Sequence, residues 1–95
     1  MMSIELLPTI YSLEVYEDSF ENDPSYHVNS QTAFSAISVG DYFNHRVADT
    51  WYDRPDTAKE KFQIQEVEHI VFVHDGLQNH HKTMIKLKKV PYSWD

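Results

Sequence analysis

Residues Lys59–Val90 read KEKFQIQEVEHIVFVHDGLQNHHKTMIKLKKV, and this stretch carries the strongest fold signal in the chain. Two runs rich in β-branched and aromatic residues flank the pair Asp75-Gly76, which is a strong signal for a tight hairpin turn. Glycine suits such turns because it adopts positive φ angles without steric cost. The stretch therefore predicts a β-hairpin, with its strands over Glu60–Val73 and Lys82–Val90.

The first of these two runs changes its apolar face midway. Phe62 and Ile64 have even parity, whereas Val67 and Val71 have odd parity. Side chains of a regular strand alternate between faces, so both sets can share one face only if a residue is inserted between them. We predict a β-bulge around residues 65–67, of the kind that bends a sheet toward a barrel.

The N-terminal third predicts a strand followed by a loop. Alternating apolar residues indicate a half-buried strand over Glu5–Tyr16. Pro8 has no N–H to donate, so we expect the start of this strand at a sheet edge or outside the ladder. Residues 17–30 are rich in acids and turn formers and are expected to form a loop.

The middle of the chain predicts a short helix and a further strand. A cap at Ser30 or Asn29 and apolar residues at one-face spacing indicate one or two helical turns over residues 30–37. Residues 39–47 begin with a Val-Gly-Asp turn and then alternate between the two side-chain faces of a strand. Residues 48–58 are loop-like. The fold class is therefore mainly β (all-β or α+β): a small, strongly curved antiparallel sheet or barrel of four to five strands, with one short helix near 30–37.

Composition is that of one small domain over residues 1–95. Aromatic residues make up 14% of the chain and supply large buried areas, so one core is feasible without metal or disulfide support. The absence of cysteine excludes disulfides, thiolate nucleophiles and cysteine-based zinc sites. The longest uninterrupted apolar run, Ile70–Val73, is far shorter than the roughly 20 residues of a membrane span. No leader is recognisable, so we expect a cytoplasmic protein.

The net charge of −7 argues against direct binding of nucleic acid, because phosphate contacts need a basic surface. The acidity is concentrated at one end, since residues 1–30 contain no Lys or Arg. Residues 58–95 are close to neutral. A solvated acidic face that maintains solubility is one interpretation, and a surface matched to a basic partner is the other.

The histidines do not form a recognisable metal site. His80 and His81 are adjacent, so in a strand they point to opposite faces and cannot both reach one ion. His74 and His80 could meet across the turn, but their spacing matches no established zinc pattern. We therefore predict no metal and no cofactor. The chain also has only two glycines and no nucleophile elbow, which argues against a phosphate-binding loop and against most enzymes.

Aromatic and acidic residues outside the hairpin favour a non-enzymatic protein-interaction module, of a bacterial or phage accessory or inhibitor type. Tyr, Trp and Arg commonly anchor protein interfaces. The predicted partner-binding residues are Trp51, Tyr52, Arg54, Glu17, Asp18, Glu21 and Asp23. The partner is expected to be a protein with a basic surface, while its identity and the oligomeric state stay open. Trp51 could equally close the end of a barrel.

A small ligand-binding or enzymatic β-barrel is the alternative. His45 and His69 both lie between apolar neighbours of the same parity, and Asp41 could join them at a barrel mouth. General acid–base chemistry needs such groups in a cleft. A deep pocket lined by these histidines would favour this alternative, and a filled barrel with aromatic residues on its rim would favour the interaction module.

Overall fold

The computed structural model describes residues 8–44, 51–53, 55, 59–74 and 76–92. These residues form one five-stranded mixed sheet, strongly curled into a half-barrel, with strand order β2-β1-β5-β4-β3. The strands are β1 (Thr9–Glu17), β2 (Tyr26–Ser30), β3 (Tyr42–Phe43), β4 (Glu60–His74) and β5 (Gln78–Pro91). The mainly β class and the strong curvature are thus confirmed.

The hairpin is the longest feature of the fold. β4 and β5 pair antiparallel from Glu60 opposite Pro91 to His74 opposite Gln78. The turn contains Gly76 at a φ of 68°, a conformation that glycine adopts without the steric cost met by other residues. The predicted turn at Gly76 is confirmed, and Asp75 lies outside the described residues.

The predicted bulge is also present. Ile64 pairs with Leu87 and Glu66 pairs with Lys86, so Gln65 is the extra residue. The inserted residue restores the shared face: Phe62 and Ile64 are buried, and Val67 packs against the same core. The change of parity between Ile64 and Val67 is therefore caused by one inserted residue, as the sequence predicted.

One central pairing is parallel, which corrects the expectation of a wholly antiparallel sheet. β1 runs parallel to β5, from Thr9 opposite Asn79 to Glu17 opposite Leu87. Hairpin signals predict only neighbours joined by a short turn, and these two strands are separated by most of the chain. Pro8 precedes the ladder, as expected, and its carbonyl accepts a hydrogen bond from the N–H of Asn79 (2.8 Å).

Three local expectations differ from the structure. Residues 26–30, expected to be part of a loop, form β2, which pairs antiparallel with β1 and packs Tyr26 and Val28 against the core. No helix forms at residues 30–37, because so short a segment is not stable as an isolated helix. Its apolar residues instead pack on the core from irregular backbone. Of the strand expected at 39–47, the described residues 39–44 contain β3, and residues 45–50 lie outside the described part.

The core occupies one end of the concave face of the sheet. It combines the central strands β1 and β5 with the base of β4, and β2 and the segment before β3 pack around it. The buried apolar residues are Leu13, Val15, Phe62, Ile64, Ile85 and Leu87. The distal half of the hairpin extends beyond this core. Within the described ranges, no helix is long and apolar enough to cross a membrane.

Candidate functional site

The distal half of the hairpin exposes apolar side chains on both of its faces. We call residues 69–73 and 76–81 the hairpin tip. Val71 and Val73 are 70% and 57% exposed, and Leu77 in the turn is 72% exposed. Ile70 and Phe72, which project from the opposite face of the same strand, are 39% and 38% exposed. The predicted core face of β4 therefore stops being buried beyond Val67.

In the part of the chain that the structure describes, the outer edge of β4 is open along the same stretch. β3 pairs only with Phe62 and Gln63, and two backbone hydrogen bonds extend this contact to Ile64. No residue in the described ranges pairs with the outer edge from Gln65 onward. Unpaired N–H and C=O groups beside apolar side chains are what a pairing strand from another chain requires.

Polar contacts fix the convex face of the tip. The Ser12 hydroxyl donates to Asn29 Oδ1 (2.6 Å) and lies 2.5 Å from His80 Nε2. The His80 ring in turn stacks on Phe72, with the ring centroids 4.8 Å apart. β1 thus contacts His80 through Ser12, and His80 in turn packs against Phe72.

A second pair of histidines lies on the concave face. His69 Nδ1 and His81 Nε2 are 2.9 Å apart and share a hydrogen bond, with the Thr83 hydroxyl 3.4 Å from the same His69 nitrogen. Since His80 faces the convex side, the two adjacent histidines point to opposite faces, as predicted. The backbone of His74 pairs with Gln78, and the expected contact of its side chain with His80 lies outside what the structure describes.

These two histidines border an open cleft of about 270 Å³. Residues 33–37 form one wall, and Tyr11, His69, His81 and Thr83 form the other. Asp41, expected to join His69, does not line this cleft. Its carboxylate accepts from the Ser38 N–H (3.0 Å), and its carbonyl accepts from Ile64. His45 lies outside the described residues.

Glu17 is buried, unlike the other acids expected at the partner-binding surface. Its carboxylate accepts hydrogen bonds from the Ser25 hydroxyl and from the backbone N–H groups of Tyr52 (2.8 Å) and Asp53 (2.9 Å). The side chain is only 4% exposed, so it anchors the 51–53 segment to the sheet. A second chain cannot reach this carboxylate while these contacts persist.

The remaining residues expected at this surface divide between core and solvent. The Trp51 indole packs on Phe62, with ring centroids 4.9 Å apart, and forms part of the core boundary. Tyr52 is 66% exposed. Asp18, Glu21 and Asp23 are exposed on the connection between β1 and β2, and Arg54 lies outside the described residues. The structure thus brings the acids and Tyr52 to the surface but turns Trp51 inward.

Two ionisable groups have shifted pKa values. Burial raises the pKa of Tyr16 to about 12, helped by the hydrogen bond to Glu14 and by the negative charges of Glu14 and Asp23. The hydrogen bond to the Asp53 carboxylate (2.6 Å) raises the pKa of Lys89. Neither group lies in the cleft. The described residues contain no cluster of three or more His, Asp or Glu side chains placed to hold a metal ion.

The hairpin tip was missed by the sequence reasoning because Val71 and Val73 continue the parity of Val67, which packs on the core. A signal was present in the unbroken run Ile70–Val73, since a strand covered on one face alternates apolar with polar residues. The contact of His69 with His81 depends on hairpin register, which local sequence does not determine.

Comparison with known proteins gives no relative: no family model, no curated protein and no solved structure matches this chain. Function has therefore to be inferred from the geometry alone.

Proposed function

We propose that this protein is a non-enzymatic protein-interaction module that binds through its hairpin tip. The observation that supports the proposal is the combination of five exposed apolar side chains with an open strand edge. The apolar residues are Ile70, Val71, Phe72, Val73 and Leu77.

Burial of this surface would supply the driving force for association. Full burial of a large apolar side chain is worth roughly 1.5–3 kcal/mol relative to exposure, and a pairing strand adds backbone hydrogen bonds. Proteins usually protect exposed edges with charges, prolines or short strands. Between residues 69 and 73 the edge has none of these, which supports a binding role.

The exposed acids supply a second, long-range contribution. Asp18, Glu21 and Asp23 are exposed on the β1–β2 connection, within a chain of net charge −7. Such a surface would accelerate the approach of a basic protein without adding much to the strength of the final contact. We therefore assign affinity to the tip and association rate to the acids.

Affinity capture from the lysate of the native host, followed by mass spectrometry, tests the proposal. The bait proteins are the wild type, a Val71→Glu/Val73→Glu variant and a Val39→Glu control. Val39 is 63% exposed but lies outside the hairpin, so the control places one of the two added glutamate charges at an apolar surface position elsewhere. We expect the tip variant to lose proteins that the wild type and the control both retain. Identical captured sets from all three baits would contradict the proposal.

The second candidate function is binding of a small ligand in the cleft beside His69 and His81. Its support is the presence of two imidazoles and the Tyr11 ring on one wall of an open cavity. A ligand screen followed by the NMR shifts of the histidine ring protons separates the two functions. Ligands that shift His69 and His81 but not His80 would favour the cleft, and His81→Phe should abolish those shifts.

A further inference from the structure

We propose that the outer edge of β4 pairs antiparallel with the same edge of a second copy of this chain, with the two-fold axis at Val71. The inference rests on the proposed function, because it names the partner of the same surface. It would join two five-stranded sheets into one continuous sheet.

The register follows from the side chains of the tip. An axis at Val71 places Val71 opposite itself and Ile70 opposite Phe72 of the other copy. Pairs of aromatic and β-branched residues stabilise antiparallel strands. An axis at Ile70 would instead place Phe72 opposite Glu68, which leaves a carboxylate against an aromatic ring. An axis at Val71 therefore matches apolar residues on both faces near the axis, while Val73 falls opposite His69 of the other copy.

The length of the open edge fits this register. With the axis at Val71, Gly76 of the second copy reaches the level of Glu66. β3 begins to pair at Gln63, three residues further along β4. The second hairpin thus covers the open edge and ends before it meets β3. The bulge at Gln65 lies between the two and marks the limit of the free ladder.

Charge favours a second copy over a basic strand at this edge. Residues 69–73 contain no Asp, Glu, Lys or Arg, so this edge offers a basic strand no carboxylate to pair with and offers a second copy no like charge. In the antiparallel pair, the two Glu68 positions are separated by six residues, or about 20 Å, which exceeds the screening length of roughly 8 Å at physiological salt.

The exposed acids of the β1–β2 connection also lie far from the proposed interface. Asp18, Glu21 and Asp23 follow the end of β1, where Glu17 is level with Leu87. The tip is level with His81, six residues away along β5, and β5 separates β1 from β4. Two copies can therefore associate through β4 while their acidic turns stay apart.

A symmetric disulfide gives the sharpest test, because the chain has no cysteine of its own. Directly opposed residues of antiparallel strands have Cα atoms about 4.5–5.5 Å apart, within the range that a disulfide bridges. Val71→Cys should therefore form a covalent dimer with oxidised glutathione as the oxidant. The control is Val39→Cys, because Val39 is exposed to a similar extent (63% against 70%). Its disulfide-linked dimer should form at least tenfold more slowly than that of Val71→Cys.

Analytical ultracentrifugation of the full chain completes the test. We expect a concentration-dependent dimer for the wild type and for Val39→Glu, and a monomer for Val71→Glu with an unchanged circular dichroism spectrum. A wild type that stays monomeric at every concentration, or equal cross-linking of the two cysteine variants, would overturn self-pairing.

The result also separates this inference from the proposed function. If the wild type is monomeric but Val71→Glu/Val73→Glu still loses its captured proteins, self-pairing fails and the binding role of the tip stands. If the wild type is monomeric and capture is unaffected, both fail.

Discussion

At the scale of single residues, two acids that are close in sequence, one at the end of β1 and one in the β1–β2 connection, have different roles. Glu17 holds two backbone N–H groups of the 51–53 segment, whereas Glu21 contacts solvent. Loss of a buried acceptor leaves its donors without partners, and that penalty exceeds the net worth of the hydrogen bonds themselves.

We expect Glu17→Ala to lower the free energy of unfolding by about 2 kcal/mol or more, because it leaves the amides of Tyr52 and Asp53 unpaired. Glu21→Ala is the matched control and should change it by less than about 0.5 kcal/mol, as at most exposed positions. Urea denaturation followed by tryptophan fluorescence measures both. Equal stability of the two variants would show that Glu17 does not anchor the segment.

Tyr16 predicts how stability changes at alkaline pH. Its pKa of about 12 lies above the value of about 10 for an unfolded tyrosine. The protonated phenol is therefore favoured by folding: the stabilisation is complete below pH about 10 and is lost as the pH rises through about 12. Tyr16→Phe should show a shallower loss of stability over this interval than the wild type.

Urea midpoints measured at neutral pH and between pH about 10 and 12 check this expectation, with Tyr52→Phe as the control for general alkaline denaturation. Tyr52 is exposed, so its replacement should leave the slope unchanged. A Tyr16→Phe variant with the wild-type slope would contradict the assignment.

At the scale of elements, the bulge sets the register of the whole hairpin. Without Gln65, the ladder becomes regular, and either Phe62 and Ile64 or Val67 must turn away from the core. We expect deletion of Gln65 to cost at least about 1 kcal/mol, because even the smaller of these two rearrangements removes Val67 from the core.

The control is Gln65→Ala, which keeps the inserted residue and alters only an exposed side chain. It should remain within about 0.5 kcal/mol of the wild type. Thermal unfolding followed by circular dichroism compares the two variants. A deletion variant with the melting temperature of the wild type would show that the extra residue lies at another position.

Local sequence predicted those elements whose cause is local. The turn at Gly76 and the bulge at Gln65 follow from backbone sterics and side-chain parity within a few residues. β2 was missed because only five residues carry its pattern, beside a loop rich in turn formers. The parallel pairing of β1 with β5 and the contact of His69 with His81 depend on register between distant or long strands, which no short pattern encodes.

At the scale of the whole molecule, Trp51 closes the core end of the half-barrel. Its ring packs on Phe62 and lies edge-on to Phe43, with centroids 6.3 Å apart. Trp51→Ala should therefore destabilise the fold by about 2–3 kcal/mol, somewhat less than a fully buried tryptophan.

Tyr52→Ala, one residue along the chain, is the control and should change stability by less than about 0.5 kcal/mol. Urea unfolding and affinity capture of the partner, both measured on the Trp51→Ala variant with its hairpin tip unchanged, distinguish a core role from a direct contact. A Trp51→Ala protein of wild-type stability that no longer binds its partner would show that Trp51 contacts the partner directly.

The parallel contact between β1 and β5 has a consequence for biosynthesis. The two centre strands of the sheet come from opposite ends of the described chain, with Thr9 beside Asn79. Contacts between residues so distant in sequence slow folding, because a large loop must close before they form. During translation, β1 is made early but gains its central neighbour only after β5 has emerged from the ribosome. Nascent β1, with Leu13 and Val15 still uncovered, is therefore the segment for which a chaperone that recognises extended apolar chain would have the longest opportunity to bind.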